Sequence, residues 1–77
     1  MNVVSRSWLK SVITILEGQR NELKRIQSDE QECYDNIPEY LQYSERSEAI
    51  QDNIDDLDSC IDDLGDIIEY LLKIVDR

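Results

Sequence analysis

The chain has 77 residues, a net charge of −10, two cysteines and no histidine. A chain this short forms one domain, spanning 1–77, and hides only about 60% of its unfolded surface, so very regular helix packing or association must compensate for a small core. With Cys33 and Cys60 as the only thiols and no imidazole, neither a zinc cluster nor a disulfide framework is expected, and no cofactor is implied.

The opening stretch MNVVSRSWLKSVITIL joins basic residues to an apolar patch, but Lys10 and Thr14 interrupt the patch and no small-residue cleavage site follows. It does not read as a signal peptide. No stretch approaches the roughly 18 apolar residues of a membrane span, so a soluble, cytoplasmic protein with free thiols is expected. The charge is unevenly placed: residues 1–25 carry +3, residues 26–72 carry −14 and the last five carry +1. A surface this acidic repels nucleic acid and anionic membrane and attracts basic proteins.

The first predicted element is a helix over about 5–35. Its apolar spacing runs through Leu9, Val12, Leu16, Leu23, Ile26, Cys33 and Ile37, with polar residues at two seam positions, Gln19 and Glu30. Such residues in a seam commonly fix register or oligomeric state. Pro38 disfavours helix at Ile37, so the pattern ends near Asp35. The stretch NIPEYLQYS, residues 36–44, is a turn. Within it Asn36 and Glu39 are spaced to cap one short turn, and Ser44 or Ser47 suits the cap of a second helix.

That second helix, over about 45–76, carries the strongest pattern in the chain. Ile50, Ile54, Leu57, Ile61, Leu64, Ile68, Leu71 and Val75 follow one another at spacings of 4, 3, 4, 3, 4, 3 and 4. An unbroken heptad of this kind specifies a coiled-coil seam. The fold expected is all-α, a long antiparallel two-helix hairpin, paired as a dimer into a four-helix bundle. In the antiparallel register, residues lie level when their numbers sum to 83 or 84.

Two consequences follow from that register. Cys60 lies ten residues beyond the level of Cys33, about 15 Å along the axis, which excludes a disulfide between them. Both are expected as small buried apolar residues. Gly18 falls level with Gly65, either as two tolerated surface glycines or as a narrow waist where another backbone approaches.

The apolar residues spread beyond the seam near the termini: Val4, Trp8, Ile13 and Ile15 in the first helix, Cys60, Ile67, Leu72 and Ile74 in the second. A face that broad suits a bundle of several helices. Val4, Trp8, Ile15, Ile67, Leu72 and Ile74 are therefore the expected contacts of a homodimer formed at the open end.

On the second helix Glu48, Asp52, Asp55, Asp56, Asp62, Asp63, Asp66 and Glu69 fall opposite the seam. Neighbours three or four apart are about 5–6 Å from each other, comparable with the phosphate spacing of a nucleic-acid strand. Aspartate is a poorer helix former than glutamate. Its short side chain, however, keeps each charge close to the backbone. The stripe reads either as a solvated face or as a surface for a basic partner. Tyr34, Tyr40 and Tyr43 gather around Pro38 and Leu41, either as binding anchors or as a cover for the end of the core.

No catalytic constellation emerges, since there is no histidine, nucleophile elbow or phosphate loop. The aspartate pairs do not follow the EF-hand order, and no metal site is expected. An enzyme is not expected.

The stretch CYDNIPEYLQYSERSEA, followed by IQDNIDDLDSCIDDL, resembles small acidic helical proteins of phages and mobile elements of Gram-positive bacteria, whose turn reads approximately IPENLQGSER. The likeness covers roughly residues 30–70 and rests on Pro38, Leu41, Gln42, Ser44, Glu45 and Arg46 in order. Tyr40 and Tyr43 stand where that pattern tends to Asn and Gly. The resemblance implies a bacterial host cell, and action by occupying host-protein surfaces, including those of defence enzymes that bind nucleic acid. The expected function is thus an acidic inhibitor on a host protein with a basic surface, without direct contact to nucleic acid or membrane. The alternative is a structural or assembly module that self-associates through its apolar open end.

Overall fold

A computed structural model describes all of residues 1–77. Helix α1 spans Val3–Asp35, a single 3-10 turn covers Glu39–Leu41, and helix α2 spans Glu45–Val75. The two helices form an extended hairpin measuring 60 × 14 × 13 Å.

Each helix begins where the sequence supplies a cap. The Asn2 side chain accepts from the Ser5 N–H at 2.8 Å, and the Ser44 hydroxyl oxygen accepts from the Ser47 N–H at 3.2 Å. These bonds satisfy donors that a helix start leaves unpaired. Ser47 in turn donates its hydroxyl to the Gln42 carbonyl and is the most buried residue of the chain. It opens the buried row of α2 and pins the turn to the helix.

Asn36 does not cap the short turn. It ends α1 instead, its N–H donating to the Glu32 carbonyl at 3.1 Å, and the 3-10 turn starts at Pro38 without a side-chain cap. The Leu41 N–H to Pro38 carbonyl bond, at 2.8 Å, closes the reversal. No residue of the chain takes a positive φ, so the turn is built without the conformation that glycine would favour, and Tyr40 and Tyr43 fit it unstrained.

Helix α2 packs as its heptad requires. Ile54, Ile61, Ile68 and Val75 are buried, and Ile50, Leu57, Leu64 and Leu71 are half-buried beside them. Helix α1 meets it in a different phase from the one its apolar spacing suggests. Leu9, Leu16 and Leu23 do line the interface, but the second row is Ile13, Arg20, Gln27 and Tyr34, whereas Val12, Gln19, Ile26 and Cys33 are exposed. Relative to the sequence reading, α1 is rotated by about 50°.

The physical reason lies in two hydrogen bonds across the hairpin. Arg20 Nε donates to the Ile61 carbonyl at 3.0 Å and Gln27 Nε2 donates to the Ile54 carbonyl at 3.1 Å. Both donors and both acceptors are seven residues apart, so one device is repeated a heptad later. The aliphatic stems of these residues pack in the seam while their polar ends find partners. Ile13 meanwhile joins Ile68 and Val75 in the buried cluster, with Leu9, Leu16, Leu64 and Leu71 around it. Arg20 lies against Ile61 and Gly65, and Gln27 against Ile54 and Asp58, which brackets the antiparallel register expected from the sequence.

The glycines separate into two roles. A Cβ at Gly18 would meet nothing within 4 Å, whereas one at Gly65 would come 2.7 Å from Arg20 Nη2. Gly65 is thus the floor beneath the Arg20 guanidinium, a close approach made by the chain's own side chain. Gly18→Ala is expected to raise stability by about 0.5–1 kcal/mol, read as a higher urea midpoint. Gly65→Ala is expected to gain nothing, because the new methyl displaces the guanidinium from the Ile61 carbonyl and offsets the helix propensity. Equal gains at the two positions would contradict this role for Arg20.

Candidate functional site

The eight acids singled out on α2 are all exposed: Glu48, Asp52, Asp55, Asp56, Asp62, Asp63, Asp66 and Glu69. They occupy the arc of α2 outside its buried seam and run for most of its roughly 46 Å length. None of them is in an ion pair. The two ion pairs of the chain both lie on α1, where Arg25 meets Glu22 at 2.9 Å and Asp29 at 3.2 Å. The hydrogen bond to Glu22 and the charges of Glu22 and Asp29 hold the Arg25 guanidinium even further above its ordinary range. The basic residues of the chain therefore leave the α2 stripe unneutralised.

One cation does enter the stripe's edge, which sequence reasoning missed. Arg20 crosses from α1 into a groove lined by Asp62, Gly65, Asp66 and Glu69, yet it bonds the backbone of Ile61 rather than any of these carboxylates. The signal available in the sequence was the level pairing of Gly65 with the stretch of α1 around Arg20. On the same side Gln27 also touches Asp58 Oδ1 at 3.4 Å. Arg20 and Gln27 together bridge this side of the hairpin.

The opposite side is apolar. Ile26, Leu57 and Cys60, with Glu30, Asn53 and Asp56, line a shallow groove of about 340 Å³ between the helices. Cys33, Ile37, Pro38 and Leu41 line a second one at the closed end. Both cysteines are free and exposed, not buried as expected, because the rotation of α1 turns Cys33 out of the seam and Cys60 flanks it. Heptad steps from Ile26 and Cys60 carry this face on through Val12, Ile67 and Ile74 towards the open end, where Trp8 and Ile15 neighbour Val12.

Of the six residues expected to form an oligomer contact, Val4, Trp8, Ile15, Ile67 and Leu72 are exposed, Trp8 by 68%, and Ile74 is half-buried. They do not form one patch. Leu72 follows Ile67 by five residues, roughly 140° around the helix, and lies on the other side of α2. Val4, a heptad before Ser11 and two before Gly18, sits on the outer side of α1. Ile13, grouped with the flanking residues in the sequence, is spent in the internal core.

Tyr40 and Tyr43 are 84% and 93% exposed and cover no part of the core, whereas Tyr34 is half-buried in the α1 seam. The three do not act as one cluster.

No group of three or more acidic, cysteine or histidine side chains is placed to hold a metal ion, and no helix is long and apolar enough to cross a membrane. Comparison with protein-family models, with curated proteins and with solved structures finds no match for this chain. The fold and surfaces define an all-α helical hairpin with one acidic helix and one apolar side.

Proposed function

We propose that this protein acts by binding another protein: an acidic inhibitor, of the kind carried by phages and mobile elements, that occupies a basic surface of a nucleic-acid-binding host protein in the bacterial cytoplasm. The observation that carries the reading is the set of eight exposed carboxylates on one long helix, none of them paired with a cation. Surface helices usually intersperse both signs and gain from pairs three or four residues apart. Here that gain is forgone along α2. The mechanism is steric and electrostatic competition, in which carboxylates fixed close to the helix backbone take the place of phosphates in a basic groove.

Affinity capture from bacterial lysate, eluted with a salt gradient, tests this. A basic nucleic-acid-binding protein is expected to leave the bait at moderate salt and to be released by added DNA, because screening weakens contacts between exposed charges. A partner indifferent to both salt and DNA would overturn the inhibitor reading.

A second reading, a structural or assembly module, is favoured by the exposed apolar residues Trp8, Ile15 and Ile67. Pairing of two hairpins into a four-helix bundle is compatible with both readings, since of the eight acids of the arc only Asp56 also lines the groove on the apolar side of the hairpin.

A further inference from the structure

We infer that the apolar side of the hairpin is covered by a second copy of this chain, stacked turn beside turn, so that α1 of each copy lies on α2 of the other. This rests on the pairing of hairpins proposed above. It differs from an open-end contact in using the whole length of one side, from Trp8 and Ile67 to Ile26 and Cys33.

The first argument is area. The chain exposes 5893 Å². A compact folded protein of its 9.1 kDa mass exposes about 4,900 Å². The excess is about 1,000 Å² for each chain, and an interface hiding it on both would total about 2,000 Å², which is the range of stable homodimers. The apolar side of the hairpin is the one suited to supply it. Arg20 and Gln27 bridge the other side and place their polar ends across it.

The second argument fixes the orientation. The large apolar residues of this side are concentrated at the open end, in Trp8, Val12 and Ile15 of α1 and Ile67, Tyr70 and Ile74 of α2. Turn-beside-turn stacking lays the first three on the last three of the other copy. Head-to-tail stacking would instead set Trp8 and Ile15 against the stretch of α1 that holds Glu22, Asp29 and Glu30. Within the groove the polar pair Glu30 and Asn53 are level, so the same stacking brings carboxylate of one copy to amide of the other.

Charge agrees with this choice. Helix α2 holds ten acids against Arg46 and Lys73, while α1 holds six acids against five basic residues. Head-to-tail stacking would put the two acid-rich helices side by side, at about 8–10 Å between axes. Turn-beside-turn stacking places them on the diagonal, with a nearly neutral α1 beside each.

Sedimentation equilibrium of the full chain, with a spin-label distance measured between copies labelled at Tyr43→Cys in a Cys33→Ala, Cys60→Ala background, tests both parts. The expected result is twice the 9.1 kDa mass and a label separation well below half of the 60 Å length. Ile67→Asp is expected to halve the mass; should that variant unfold, the parent chain's mass and the label distance still decide. A chain that stays monomeric at all concentrations overturns the inference, and a dimer whose labels lie near 60 Å apart overturns the orientation. A monomer that captures a basic partner in a salt-dependent way would leave the acidic inhibitor standing, so the two failures are distinct.

Discussion

Ile13→Ala is expected to destabilise the hairpin by about 2–5 kcal/mol, the range for truncating a buried isoleucine. Val12→Ala, one residue earlier, is expected to change it by well under 1 kcal/mol at concentrations too low for chains to associate. The contrast follows from placement: Ile13 is 5% exposed and packs on Ile68 and Val75, whereas Val12 is 45% exposed. A chain of this size has a total stability on the order of 4–12 kcal/mol, so the Ile13 change removes a large share of it. Urea unfolding followed by circular dichroism measures both variants. The reverse order of effects would mean that α1 meets α2 in the phase of its own apolar spacing, with Val12 inside.

That pair of residues also marks where the sequence was legible and where it was not. In α2 every seam position from Ile50 to Val75 is apolar, so a single phase satisfies the pattern and the packing follows it. In α1 two phases compete. They share Leu9, Leu16 and Leu23, and the choice between the rows of Val12 and Ile13 is decided by Arg20 and Gln27, whose polar ends reach carbonyls on the opposite helix. Counting apolar residues gives no weight to a long polar side chain with a partner 41 residues away in sequence. The same rotation exposes Cys33 and Ile26, and so creates the apolar side that the sequence placed only at the open end.

The turn was legible because its determinants are local. Pro38 ends α1 within a few residues, and Ser44 caps α2 through its own hydroxyl. The burial of Ser47 was not legible, since a hydroxyl that donates to a carbonyl five residues back is indistinguishable in sequence from a second candidate cap. The acidic arc was legible for the opposite reason. It needs no partner within the chain, and residues opposite a strict heptad must face outward.

The arc has a cost that bears on its purpose. Like charges three and four residues apart repel along α2, and Asp itself lowers helix propensity, so the helix is held by its buried row rather than by its surface. Solubility alone requires neither the single sign nor the short side chains.

Reversing Asp55, Asp62, Asp66 and Glu69 to Lys separates charge from fold. Each reversal shifts the net charge by two, taking the chain from −10 to −2. All four side chains are exposed and none is in an ion pair, and the one side-chain hydrogen bond among them, Gln51 Nε2 to Asp55 Oδ1 at 3.0 Å, is an exposed contact within α2, so circular dichroism is expected to show nearly unchanged helicity. Relief of repulsion along α2 is expected to raise the melting temperature slightly. Binding to a basic partner is expected to fall nearly a thousandfold at the least, since four attractions at roughly 1 kcal/mol each are lost and repulsions take their place. Association rate should drop first and most steeply at low salt, where the field of the intact arc reaches furthest. Full affinity in the reversed variant, measured against the same partner across a range of salt, would assign the charge to solubility and move the function to the apolar side.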